Sequence, residues 1–146
     1  MVYDQLKLGN QLCFPVYAAS RLITREYQPF LDSLGITYPQ YLVLMILWEE
    51  DCLPVNDIAK KLILNTNTIT PLLKRMEKDG IIRRKRSGED ERKVIVQLTE
   101  KGRALQEEAA QIPEQIAGRL IEGDLKPDDL IRLKDTLDSM IRYLSK

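Results

Sequence analysis

The chain has 146 residues and contains no histidine, only two cysteines and a single tryptophan. Without histidine the chain lacks the usual general base of enzymes and the commonest metal ligand, which weakens hydrolase and metalloenzyme interpretations. We therefore expect no catalytic residues, no metal and no other cofactor. Two cysteines in such a chain are more typical of free thiols in a reducing compartment than of a structural disulfide.

Long apolar runs are also missing. No stretch approaches the ~20 residues that span a bilayer, and the N-terminus lacks the basic and then apolar pattern of a secretory signal. With 44% hydrophobic and 30% charged residues, the composition is that of an ordinary soluble domain, and the length is sufficient for one core. The sequence predicts a cytoplasmic protein with no membrane partner.

The chain as a whole has no excess of positive or negative charge, but the charges are unevenly distributed along it. The 22 basic and 22 acidic residues give a formal net charge of zero. Between Lys74 and Lys93, however, nine basic residues accompany five acidic ones, so this segment carries +4 and the remainder −4. A basic segment in a neutral chain indicates that one part of the surface contacts a polyanion.

Apolar periodicity predicts a mainly helical protein. The first helix is expected over residues 10–34, with Asn10 as its cap, Pro15 at its start or at a kink, and Gly35 at its end. "TYPQ" at 37–40 has the pattern of a capping box for a helix that runs from Tyr38 to about Trp48. "DCLP" at 51–54 is predicted to be a turn.

Four further helices follow from the same periodicity. They are predicted at 55–62, about 66–79, 100 to about 118–122 with a kink at Pro113, and about 127–144. The last helix is expected to bury five apolar residues: Leu130, Leu133, Leu137, Ile141 and Leu144. Between the third and fourth helices in the sequence, at 64–68, "LNTNT" supplies a break and capping side chains.

Two β-prone runs, "IIRRKR" and "RKVIVQL", flank "SGEDE" at 87–91 and predict a hairpin. A short helix, a tight turn, a second helix that opens with small polar residues and then a hairpin form a winged helix-turn-helix. The fold class is therefore predicted as mainly α with a small β-hairpin wing. The N- and C-terminal helices carry apolar stripes that would be exposed on a monomer.

The start of the second helix of a helix-turn-helix is the end that reaches base edges, and basic residues behind it reach phosphates. Each candidate residue taken alone is as well explained as a helix cap or a solvated charge, but the combination favours DNA binding. The candidates are Asn65, Thr66, Asn67, Thr68, Thr70 and Pro71 at the helix start, Lys74, Arg75 and Lys78 farther along it, and Arg84, Arg86 and Arg92 in the hairpin.

The segment "DIAKKLILNTNTITPLLKRMEKDGIIRRKRSGEDERKVIVQLTEKG" is similar to the core of the MarR family of winged-helix transcriptional regulators, and the resemblance extends over nearly the whole chain. "GEDERK" resembles the family's wing signature, which implies that Asp90 supports Arg92 on DNA. The resemblance implies a single domain, 1–146, with a DNA-binding lobe at about 37–98 and dimerisation helices at about 1–36 and 99–146. It also implies a homodimer on double-stranded DNA, at a pseudo-palindromic operator.

"NQLCFPVYAASR" at 10–21, followed by "YQPFLDSLGITYPQYLVL", is similar to the organic hydroperoxide-resistance regulators of that family. The resemblance implies a repressor that senses organic hydroperoxides by oxidation of Cys13 and then releases its operator. The tyrosines that contact the thiol would be Tyr17, Tyr27 and Tyr38. Relatives with a second cysteine place it in the C-terminal half, where this chain has none, so a low-molecular-weight thiol would capture the oxidised cysteine. Cys52 is interpreted as a bystander.

The chemistry of thiols supports part of this hypothesis independently. Peroxides react with thiolate, which the N-terminal N–H groups of a helix and tyrosine hydroxyls can stabilise. Tyr17 lies four residues after Cys13 and shares its helix face, whereas Tyr27 and Tyr38 would have to come from elsewhere in the fold or from a partner chain. Two alternatives remain: a regulator controlled by a phenolic pocket ligand, in which Cys13 is a small core residue, and a thiol peroxidase.

Overall fold

The computed structural model describes residues 1–145, which form seven α-helices and one three-stranded antiparallel sheet. The helices are α1 Cys13–Leu34, α2 Tyr38–Glu49, α3 Val55–Leu62, α4 Thr66–Lys78, α5 Glu100–Ala109, α6 Ile112–Ile121 and α7 Pro127–Leu144. The strands are β1 Leu53–Pro54, β2 Ile82–Arg86 and β3 Val94–Leu98, in the order β1-β3-β2. The predicted fold class is confirmed.

Helix α1 begins at Cys13, after two short 3-10 turns at Asp4–Leu6 and Leu8–Asn10. The prediction that Asn10 caps this helix is wrong, because its side-chain amide donates to the Asp4 carbonyl at 2.8 Å. Pro15 is the third residue of α1, where its missing N–H would have had no acceptor within the helix. The helix ends as predicted at Gly35, whose φ of 72° lies in the left-handed region.

The helix-turn-helix lobe follows the sequence closely. Thr37 and Gln40 form the predicted reciprocal capping box, with the Gln40 N–H donating to Thr37 Oγ1 at 3.4 Å and the Thr37 N–H donating to Gln40 Oε1 at 3.0 Å. Helices α3 and α4 match their predicted ranges to within a residue. The core has its centre in this lobe, where the largest fully buried side chains include Leu44, Leu47, Ile58, Ile69, Leu73, Met76, Ile82 and Val96.

Two local predictions fail. The segment predicted as a turn contains strand β1, in which Leu53 pairs with Val96 and Pro54 with Ile95. Two residues are too few to show the alternation of apolar and polar side chains that predicts a strand, so β1 is recognised only by its pairing with β3. The single kinked helix predicted from residue 100 onward is two helices, α5 and α6. Pro113 lies in the first turn of α6, a position that suits its fixed φ and missing N–H.

Helix α7 buries no residue against its own chain. Leu130 and Leu137 are half-buried, whereas Leu133, Ile141 and Leu144 are exposed, so the prediction that all five are buried is wrong for the single chain. The first half of α1 and the segment before it also expose apolar side chains, among them Leu6, Leu8, Leu12, Phe14, Val16 and Leu22. Apolar surface of this extent on both terminal regions is typical of a protein–protein interface.

Within residues 1–145, no single helix is long and apolar enough to cross a membrane. Helices α1 and α2 together have the length and apolar composition of a membrane span, but their axes are bent by 72° where they meet.

Candidate functional site

The start of α4 is held by a side-chain cap. Asn65 Oδ1 accepts hydrogen bonds from the Thr68 N–H at 2.9 Å and from the Thr68 hydroxyl at 3.1 Å. The cap satisfies one of the backbone donors that every helix start leaves open. Asn65 and Thr68 are therefore already hydrogen-bonded to each other, which leaves their neighbours as the free polar groups of this turn.

The face of α4 opposite the core is polar and exposed. Ile69, Leu73 and Met76 are fully buried. At about 100° per residue, Asn67, Pro71, Lys74 and Lys78 lie about 140–200° around the axis from Ile69, and all four are exposed. We call these four residues the recognition face. Thr66 and Thr70 lie on the side toward the sheet, where they line a cleft with residues of the hairpin, and Arg75 lies on the opposite side.

Arg84 is held against α4 instead of reaching out from the hairpin. Its guanidinium Nη2 donates to Glu77 Oε1 at 3.1 Å, and its backbone N–H donates to Glu77 Oε2, also at 3.1 Å. Only 19% of its side chain is exposed. Arg84 is thus a link that fixes strand β2 on the recognition helix, and it lines the same cleft as Thr66, Thr70 and Arg92.

The tip of the hairpin is ordered by its own charged residues. Arg86 Nη1 donates to the Glu91 carbonyl at 2.9 Å and closes the loop. Asp90 Oδ1 accepts from the Arg92 N–H at 3.0 Å and lies 3.8 Å from Arg92 Nε. Because the Arg92 side chain is 96% exposed, Asp90 orients it toward solvent without neutralising it in a buried pair. The role of Asp90 in supporting Arg92 on DNA stays a prediction.

Cys13 and Tyr17 lie on an exposed surface at the start of α1. Both residues are exposed, and Cys13 is a free thiol. Arg21 places its guanidinium carbon 5.2 Å from the centre of the Tyr17 ring. The thiol is at the first helical position, where backbone N–H groups lack acceptors within the helix and favour an anion.

Tyr27 and Tyr38 form a cluster with Tyr41, which the sequence did not single out. The ring centres are 5.0 Å apart for Tyr27 and Tyr38, 5.9 Å for Tyr27 and Tyr41, and 6.2 Å for Tyr38 and Tyr41. Burial raises the pKa of all three phenols above the ordinary 10.0, and neighbouring tyrosines raise the pKa of Tyr27 and Tyr41 further. The phenols are therefore neutral hydrogen-bond donors at physiological pH.

The two halves of the predicted sensor are not brought together within one chain. Cys13 and Tyr27 lie on the same helix, and their separation of 14 residues corresponds to about 21 Å along its axis. Among residues 1–145, none of the Tyr27, Tyr38 and Tyr41 hydroxyls has a hydrogen-bond partner from its own chain. The phenols are thus available to a group from outside the chain.

Cys52 has a different setting. It is exposed, its φ of 61° is in the left-handed region, and its N–H donates to Asp51 Oδ1 at 2.8 Å. The same carboxylate oxygen accepts from the Leu98 N–H at 2.9 Å, so Asp51 ties this turn to strand β3. In the described part of the chain, no group of three or more His, Cys, Asp or Glu residues is arranged to hold a metal ion.

Comparisons with known proteins agree with this geometry. The family model for the transcriptional regulator SarA/Rot matches residues 25–109. The organic hydroperoxide resistance transcriptional regulator of Bacillus subtilis (strain 168) is 49% identical over 142 residues, which cover 97% of this chain and 95% of that protein. The transcriptional regulator MgrA of Staphylococcus aureus is 37% identical over 139 residues, 94% of this chain and 92% of that one.

Among solved structures, AbfR, a Staphylococcus epidermidis protein, resembles this chain in more than one state. Reduced AbfR bound to DNA is 38% identical, each chain is covered to 98%, and the TM-score is 0.77. Disulfide-formed AbfR is 37% identical, with 97% of this chain and 94% of that chain covered, and its TM-score is 0.67. The chain therefore belongs to the MarR family of winged-helix transcriptional regulators, together with SarA/Rot-type and organic hydroperoxide resistance regulators.

Proposed function

We propose that the protein is a dimeric repressor that binds operator DNA and releases it when an organic hydroperoxide oxidises Cys13. The main observation behind this proposal is that the thiol and the tyrosine cluster, the two parts of the predicted sensor, lie far apart within one chain. The exposed thiol at the start of α1 lies about 21 Å along that helix from Tyr27, which forms a cluster with Tyr38 and Tyr41 of α2. Exposed apolar side chains flank the thiol. A relative of 49% identity is an organic hydroperoxide resistance regulator.

A two-fold dimer would complete the sensor from two chains. The apolar side chains exposed before and along α1 and on α7 provide surface for such an interface. In an isologous dimer, the start of α1 from one protomer can approach the middle of α1 from its partner. Cys13 of one chain would then be adjacent to Tyr27 and Tyr38 of the other, with its own Tyr17 one helical turn away. This arrangement also supports the division into a DNA-binding lobe, about 37–98, and dimerisation helices on either side of it.

The chemistry at Cys13 balances with a peroxide and one cellular thiol. The thiolate attacks the terminal peroxide oxygen, the O–O bond breaks, and the alkoxide takes a proton and leaves as an alcohol. The resulting sulfenic acid condenses with a low-molecular-weight thiol, which forms a mixed disulfide and releases water. The phenols donate hydrogen bonds to the thiolate, and the exposed apolar side chains of Leu12, Phe14 and Val16 favour organic peroxides over hydrogen peroxide.

DNA binding would use the recognition face and the wing. Asn67 and Pro71 lie nearest the start of α4, where they can meet base edges in the major groove, while Lys74 and Lys78 reach phosphates. Arg92 projects from the hairpin and can enter the adjacent minor groove. In the dimer the two recognition helices would contact half-sites about 34 Å apart, one helical turn of DNA, on a pseudo-palindromic operator.

The test compares binding to the DNA upstream of the gene, at fixed salt, before and after about one equivalent of cumene hydroperoxide with a small thiol present. Peroxide is limited because AbfR has been crystallised on DNA in an overoxidised form. The wild type is expected to release DNA and to regain it with reductant. Cys13→Ser should bind equally well and ignore peroxide, and Cys52→Ser should behave as wild type. Release by the Cys13→Ser variant would refute the assignment.

Two alternatives differ in measurable ways. A phenolic effector would bind saturably with or without Cys13, which a titration of Trp48 fluorescence detects. The clefts beside α1 have volumes of about 210 and 700 Å³ and combine apolar with charged side chains, such as Phe30 and Glu108 in the smaller and Leu22 and Arg119 in the larger. A thiol peroxidase would turn over with added thiol, whereas a regulator consumes peroxide in proportion to its Cys13. We expect the second result, and a site of action in the cytoplasm, where the operator is.

A further inference from the structure

Trp48 connects the tyrosine cluster to the part of the fold that carries the recognition helix. Its ring meets Tyr41 edge-on, with centres 6.5 Å apart and planes inclined by 67°. On its other side, the indole Nε1–H donates to the Gly102 carbonyl at 2.9 Å. The sole tryptophan of the chain is thus in contact with the cluster at one end and hydrogen-bonded to the first turn of α5 at the other.

The first turn of α5 is in turn fixed to the joint between α4 and β2. The Thr99 hydroxyl lies 2.6 Å from the Gly80 carbonyl and 2.9 Å from the Ile81 carbonyl, and the Thr99 N–H donates to Ile81 at 3.1 Å. Gly102 packs so closely on this joint that a Cβ at its position would lie 2.3 Å from the Ile81 carbonyl oxygen. A movement of this turn therefore moves the end of the recognition helix and the base of the wing together.

We propose that Trp48 is a positioning residue that transmits the state of the tyrosine cluster to the recognition helix. The proposal rests on the sensing function above. Adding a thiol adduct to Cys13 would displace Tyr27 and Tyr38, and Tyr41 lies against both rings. Because protein interiors are close-packed, a displaced ring must be accommodated by its neighbours. Trp48 then couples that displacement to α5 through a directional hydrogen bond.

The proposal predicts a separation of two properties in the Trp48→Phe variant. A phenylalanine keeps an aromatic ring against Tyr41 but has no N–H to donate to Gly102. Operator affinity of the reduced variant is expected to stay within about threefold of wild type, since no DNA contact changes. The ratio of reduced to oxidised affinity is expected to shrink by roughly five- to tenfold, the equivalent of one lost hydrogen bond in the coupling.

The matched control is Ile46→Val, which removes one methyl group from another half-buried side chain of α2 and no hydrogen bond. It should keep the full response to peroxide. Intact-mass measurement of the Cys13 adduct shows that wild type and both variants are oxidised equally. A Trp48→Phe variant that is fully modified and releases DNA as completely as wild type would overturn the proposal.

A second measurement uses the unaltered protein and needs no variant to fold. Without DNA, modification of Cys13 is expected to change the emission of Trp48, and Cys13→Ser treated in the same way should show no change. Unchanged emission in a fully modified wild type would refute the coupling through Trp48. If the modified wild type keeps its DNA, the sensing function itself has failed, which is a different result from a response that bypasses Trp48.

Discussion

Replacement of Gly102 by alanine should destabilise the protein, although the same change in most helices stabilises. Gly102 is buried in the first turn of α5. Alanine has a helix propensity better than glycine by up to about 1 kcal/mol. At this position, however, the new Cβ would lie 2.3 Å from the Ile81 carbonyl oxygen, at least 0.7 Å closer than the 3.0 Å that real Cβ atoms keep. The neighbour is backbone and cannot rotate away.

The magnitude follows from the contacts that must move. Forcing an extra methyl group into a packed site costs about 1–3 kcal/mol. Moving α5 away also weakens the bond from Trp48 to Gly102, worth about 1 kcal/mol. Against the gain of about 1 kcal/mol from propensity, the free energy of unfolding should fall by about 1–3 kcal/mol.

The assay is urea unfolding followed by circular dichroism at one protein concentration, because the stability of a dimer depends on concentration. Gly118→Ala is the matched control. Gly118 lies in α6, is exposed, and would place its Cβ where nothing lies within 4 Å. It should raise stability by up to about 1 kcal/mol. If Gly102→Ala proves as stable as Gly118→Ala, the close contact between Gly102 and the Ile81 carbonyl is refuted.

Two further predictions concern the DNA contacts and the effect of pH. Asn67→Ala should lose about 1–3 kcal/mol of discrimination between bases at one base pair of each half-site. Lys74→Ala should instead weaken binding to all sequences and reduce the slope of log affinity against log salt concentration by about one per lysine. Fluorescence anisotropy with operators that carry single base-pair changes measures both effects. Because burial raises the pKa of Tyr27, Tyr38 and Tyr41 in the folded state, the stability they confer is fully present below about pH 10 and is lost as the pH rises further. The urea midpoint of unfolding should therefore fall above pH 10, and it should fall less steeply in Tyr38→Phe. If the midpoint of that variant falls as steeply with pH as that of wild type, the burial of the Tyr38 hydroxyl is contradicted.

Local sequence signals determined most of the helix-turn-helix lobe. The capping box of Thr37, the Asn65 cap, the apolar spacing of Ile69, Leu73 and Met76, and the glycine after α1 act within one or two helical turns. Such interactions depend only on neighbours in the chain, so they can be recognised from the sequence without knowledge of the tertiary structure. The two-residue strand β1 and the break between α5 and α6 depend on partners far along the chain or on packing, and no local pattern carried them.

The candidate site divides in the same way. The order of the elements and the clustered basic residues predicted the DNA-binding hairpin, because phosphate binding needs positive side chains whatever their exact placement. The sensing role of Cys13 and its tyrosines came from the resemblance to organic hydroperoxide-resistance regulators. Only the tertiary structure showed that Arg84 pairs with Glu77, and that Tyr41, Trp48 and Gly102 lie in one chain of contacts beside the tyrosines. It also left most apolar side chains of α7 and of the start of α1 exposed on the single chain. Side-chain pairing and burial arise between elements distant in sequence, which is why they were decided by the fold.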